Sequence, residues 1–118
     1  MIQSLSILII EDEPLIAMMM EDFIDMAGHA VAGTVDSVAD ALVRVAAGGF
    51  DIAIVDVQLR DGFCWPVADA LTAQAIPFLL ATGGHVEPPP AAYAAAPILA
   101  KPFTLDGITS AIAALKAG

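Results

Sequence analysis

Basic residues are scarce in this 118-residue chain, where four lysines and arginines stand against fourteen acids for a formal charge of −10. That sign is wrong for gripping a phosphate backbone, so nucleic acid is not an expected partner. Cysteine is nearly absent. Cys64, the single one, cannot close an internal disulfide and has no CxxC or histidine neighbours at zinc spacing, so it reads as a packing residue in a reducing compartment. Long apolar runs are missing too: apolar residues make up 58% of the chain, yet no run approaches the roughly 18 to 20 residues of a membrane-spanning helix. A membrane partner is therefore not expected. The start, "MIQSLSILII", has neither the basic opening nor the small-residue cleavage site of a signal peptide, which makes the cytoplasm the expected location. The length suits one domain over 1–118 with a single core.

What is present is an alternation of short apolar runs and helical patterns. "SLSILII" (4–10) ends in acids and Pro14 and reads as a buried strand. Pro14 then suits the first turn of a helix in which Ile16, Met19, Met20, Phe23 and Ala27 recur at helical spacing up to Gly28. The Met18 to Met20 cluster is expected to fill core. "HAVAGTV" (29–35) reads as a second strand, and Ser37 as the cap of a helix with Val38, Leu42 and Val45 inward, ended by Gly48 and Gly49. "DIAIVD" (51–56) is a third strand, followed by a Gly62 turn and a helix opening near Pro66 with Val67, Ala70 and Leu71 inward. "PFLLA" (77–81) and "PILA" (97–100) supply two more strands. Thr104 can cap a last helix with Leu105, Ile108, Ile112 and Leu115 on one stripe. Runs without polar alternation, separated by crossover-length helices, specify a five-stranded parallel α/β sheet with helices on both faces. In such a sheet ligands sit beyond the carboxyl ends of the strands.

Those ends carry polar groups. The first strand delivers Glu11 and Asp12, the third Asp56, the fourth Thr82, and the fifth Lys101 followed by Pro102. Carboxylates brought together repel unless a cation compensates. Hard oxygen donors without histidine or cysteine favour Mg²⁺ or Mn²⁺. A metal clamp beside a carboxylate, a hydroxyl and a lysine is equipped for phosphoryl chemistry, with Asp56 attacking phosphorus. Glu21, Asp22 and Asp25 read as solvated helix surface.

The set "IIEDEP", "IVDVQLRDG", "LLATGG" and "AKPF" resembles the receiver domain of two-component response regulators across essentially the whole chain. "PVADAL", "IPFLLATGG" and "PILAKPF" are similar to the FAT GUY variant group, with Leu80 in place of its phenylalanine and His85 in place of its tyrosine. The resemblance implies a CheY-like sheet in the order 2-1-3-4-5. It implies Asp56 as phospho-acceptor, Asp12 as direct metal ligand, Glu11 acting through a metal-bound water, and the backbone carbonyl of Gln58 as a further ligand. Thr82 would be the switch hydroxyl and Lys101 the lysine that pairs with the phosphoryl group, before a cis peptide to Pro102; Glu13 would lie outside the ligand set. The implied partner is a sensor histidine kinase, of HWE or HisKA2 type, together with a phosphotransfer protein or other target. The chain itself would be a monomer or weak dimer without an output domain.

Two positions depart from the family pattern. Ile98 stands where receivers commonly place an aromatic switch residue, and Tyr93 lies nearby but out of register. Arg60 replaces a proline often found after the third strand, and reads as a solvated loop residue. Between Thr82 and the fifth strand, "GGHVEPPPAAYAAA" holds three consecutive prolines that deny a helix its amide donors. Residues 83–96 are therefore expected to be a mobile loop with helix 4 short or disordered, ordering on phosphorylation or partner binding. Two other functions compete: a small Mg²⁺-dependent aspartyl-phosphate phosphohydrolase, and a phosphorylation-independent binding module. The first would need a second acid two residues after the nucleophile, where Gln58 stands; the second usually follows loss of an acid or the lysine, and none is lost.

Overall fold

The computed structural model describes residues 4–82, 93, 97–100 and 103–117. Five parallel strands, β1 (Ser6–Ile10), β2 (Ala30–Val35), β3 (Ile52–Asp56), β6 (Phe78–Thr82) and β7 (Ile98–Ala100), form one sheet in the order β2-β1-β3-β6-β7. This is the 2-1-3-4-5 order once two short strands, β4 (Gln58–Leu59) and β5 (Gly62–Phe63), are set aside as an antiparallel ribbon. The sequence reading has only a turn at Gly62 in place of that ribbon.

Strand alternation divides the core. Ile7 and Ile9 of β1, Ile52 and Ile54 of β3, and Leu79 and Ala81 of β6 face one side. There they meet Met20 and Ile24 of α1 (Pro14–Met26) and Ile108 and Ile112 of α4 (Leu105–Ala117). Leu8, Ile10, Ala53, Val55 and Leu80 face the other side, against Ala41 and Val45 of α2 (Val38–Ala47) and Val67 and Leu71 of α3 (Trp65–Ala73). Every residue of β3 is buried, as a central strand covered on both faces requires.

Helix ends follow local chemistry. Pro14 opens α1 where its missing amide costs nothing. The Ser37 hydroxyl accepts the Asp40 amide at 3.1 Å, and the Thr104 hydroxyl accepts the Gly107 amide at 2.9 Å. Gly48 ends α2 at φ 71°, a conformation open to glycine.

Three side-chain expectations are corrected. Met18 and Met19 are exposed, so only Met20 of the methionine cluster fills core; α1 turns Ala17, Met20 and Ile24 inward, with Ile16 and Phe23 at the margin. Leu42 is likewise exposed, because α2 packs through Ala41 and Val45. Glu21 is not merely solvated: it accepts the Thr34 hydroxyl at 2.8 Å, joining α1 to β2. The expectation of a short or disordered fourth helix falls on 83–96, which apart from Tyr93 lies outside the described residues.

Candidate functional site

Register brings the acids together. Ile10 pairs with Val55, so Glu11 and Asp56 leave neighbouring strands at the same level, and Asp56 itself pairs with Ala81, one residue before Thr82. The carboxylates of Glu11, Asp12 and Asp56 each place one oxygen within 4.8 Å of the others. Glu11 and Asp56 are buried, while Asp12 is half-exposed. Glu11 is turned back on its own loop: one carboxylate oxygen accepts the amides of Asp12 at 3.0 Å and Glu13 at 3.4 Å. Its own amide donates to Val35 at 2.9 Å. Glu13 is exposed and stands outside the cluster.

Thr82 ends β6, in register with Ala100 of β7. Gln58 follows Asp56 by two residues, with its side chain exposed in β4. Lys101 and its peptide to Pro102 lie outside the described residues. An open cleft of about 340 Å³ runs from Glu11 and Asp12 past Thr34, Asp36 and Asp40. Beneath the site, Cys64 is fully buried, and its thiol is pushed up to about 12 by burial, with the Asp56 carboxylate adding to the effect. It stays protonated at neutral pH, in keeping with a packing role.

The departures have addresses. Ile98 is 53% exposed, on β7 at the sheet edge. Tyr93 stacks on Trp65 with centroids 5.7 Å apart and planes 9° from parallel, and meets the edge of Phe78 at 6.0 Å. Its hydroxyl donates to Asp69 of α3, which raises the phenol's pKa. Arg60 pairs with Asp36 at 3.2 Å, both well exposed. The sequence reading missed Asp61, whose carboxylate accepts the Val38 amide at 2.7 Å and the Ala39 amide at 3.2 Å. The "RDG" stretch signals a turn, but nothing in it names the helix that the aspartate reaches.

A doubly covered parallel sheet with three acids at its carboxyl edge defines a receiver, and the response regulator receiver domain family matches residues 7–113: the chain belongs to that family. It is similar end to end to SdrG from Sphingomonas melonis Fr1, whose solution structure is 52% identical with a TM-score of 0.87, covering 98% of this chain and 99% of that one. The BeF3-activated conformation of SdrG, assigned there to Pseudomonas melonis Fr1, superposes at a TM-score of 0.81, at 52% identity over 97% of this chain and 98% of that one. The receiver domain of Erythrobacter litoralis PhyR is 29% identical at a TM-score of 0.77, covering 97% and 91% of the two chains. No curated protein sequence matches the chain significantly.

The family is a signalling one. The acidic cluster, all hard oxygen with no histidine and no cysteine sulfur among its members, is a donor set that fits a small divalent cation such as Mg²⁺.

Proposed function

We propose that this chain acts as a receiver in a two-component phosphorelay, accepting a phosphoryl group on Asp56 from the phosphohistidine of a sensor histidine kinase. The observation that carries this reading is the convergence of Glu11, Asp12 and Asp56 at the carboxyl edge of a receiver sheet. An Asp56 carboxylate oxygen bonds to phosphorus as the phosphorus–nitrogen bond to the imidazole breaks, and the freed imidazole takes up a proton. Asp12 and Asp56, with the Gln58 carbonyl and with Glu11 through a water, would hold Mg²⁺ or Mn²⁺. The ion supplies positive charge against the phosphoryl oxygens. Thr82 supplies the hydroxyl that answers the new acyl phosphate, and Lys101 a second cation.

The BeF3-activated conformation of SdrG supports the reading, since a carboxylate-bound BeF3 group is tetrahedral and anionic, as an aspartyl phosphate is. Output passes to a protein partner, or the chain drains phosphate from a kinase of HWE or HisKA2 type as a sink. Incubation with acetyl phosphate and Mg²⁺ is expected to label the native chain and leave Asp56→Asn unlabelled. Labelling that persists in the variant would sink the assignment, and release of many equivalents of phosphate from phosphomonoesters would favour a phosphohydrolase instead.

A further inference from the structure

The chain that follows Asp56 is fastened at both ends of a short ribbon. At its base Val57 and Leu59 are buried in the core shared with α2 and α3. The Val57 amide donates to Ala81 at 3.1 Å, and the Cys64 amide donates to the Val57 carbonyl at 2.9 Å. At its tip Gly62 turns the chain at φ 141°, and Asp61 reaches across to the start of α2.

A helix leaves its first amides without internal partners. In α2 those of Val38, Ala39 and Asp40 are all satisfied, the first two by Asp61 and the third by Ser37. The Asp61 carboxyl is held below the usual carboxylate range, chiefly by the Val38 amide, so it is ionised at neutral pH and suits the positive end of the helix. Gln58 stands between the two buried residues of the base, three residues before Asp61. Asp36 and Asp40, near the start of α2, line the cleft that opens at Glu11 and Asp12.

We propose that Asp61 is a positioning residue for the metal site: its bidentate grip on α2 fixes the β4–β5 ribbon, and with it the backbone of Gln58, relative to Asp12 and Asp56. Asp61 touches neither ion nor phosphoryl group and acts through the ribbon. The inference rests on the receiver reading of the site, in which the Gln58 carbonyl is a ligand. Loss of a group that orients a metal ligand typically weakens metal binding by tenfold or more.

The experiment is a Mg²⁺ titration of the full chain followed by amide NMR shifts, in the native protein, Asp61→Ala, Asp61→Asn and Ser37→Ala. Ser37→Ala removes the other cap of the same helix and leaves the ribbon alone, so it controls for simple loss of helix stability. Asp61→Ala is expected to weaken Mg²⁺ binding about tenfold. Asp61→Asn, which keeps one acceptor oxygen, should recover part of that loss, and Ser37→Ala should bind as the native chain does. Equal weakening in Asp61→Ala and Ser37→Ala would reduce the effect to helix stability and overturn the proposal. A native Mg²⁺ response that survives Asp61→Ala overturns the inference alone, whereas a native chain without any response overturns the metal reading and the inference together.

Discussion

The acids of the site stand where two strands, β1 and β3, run into their loops, and those loops are held in different ways. In the loop after β1, buried Glu11 accepts the amides of the next two residues, and its own amide is tied to Val35 of β2. The loop after β3 depends on distant parts of the chain, with Val57 and Leu59 sunk in the core and Asp61 bound to amides 22 and 23 positions away. In the first loop the bracing carboxylate reaches amides one and two residues on, while in the second it reaches across to α2. A site assembled this way can be disturbed through Asp61, which stands outside the three clustered acids.

The largest way to test that contrast is Leu59→Ala, which empties a core position under the second loop and should cost about 2–5 kcal/mol of stability in urea unfolding. An unchanged midpoint would show that the loop is not anchored by burial. Glu11→Ala removes the carboxylate that braces the first loop. Hydrogen exchange at Asp12 and Glu13 should quicken by about three- to tenfold, the net worth of one hydrogen bond, while residues 57–64 keep their protection. Faster exchange in both loops would mean that they are one unit.

A gentler probe is pH. Because the folded pKa of Asp61 lies below its ordinary value, its contribution to stability is complete above the unfolded pKa and fades as pH falls through the folded one. Native protein should therefore exceed Asp61→Asn in melting temperature at neutral pH, and the two should converge as pH falls below the ordinary carboxylate range. The smallest effect is expected from Arg60→Ala, since Arg60 and its partner Asp36 are both more than half exposed. Such pairs contribute under about 1 kcal/mol, and a larger loss would make Arg60 a second anchor of the ribbon.

The same contrast explains what could be read from sequence. The five strands, the caps at Ser37 and Thr104 and the strand-end acids were legible because each is a local pattern: an apolar run, a turn, an acid; the order of the strands came from the family resemblance. Helix faces were harder to orient because apolar residues are in excess. In α1 Leu15, Met18 and Met19 are as apolar as the buried Met20 and Ile24 yet stay exposed, so period alone does not choose the inward stripe. Asp61 was illegible for another reason. Its partners are backbone amides, which have no residue identity, and they become neighbours only after β3 and α2 have packed. Tyr93 likewise finds Trp65 and Phe78 through the fold, from 28 and 15 positions away.

That stack has a practical consequence. Trp65 and Tyr93 are the sole tryptophan and sole tyrosine of the chain, with ring centroids 5.7 Å apart. Excitation absorbed by the tyrosine therefore passes to the tryptophan as long as Tyr93 stays docked on α3. The molecule carries its own optical ruler, with one donor and one acceptor, and the tyrosine emission that returns when the rings part would report their separation in real time without a label.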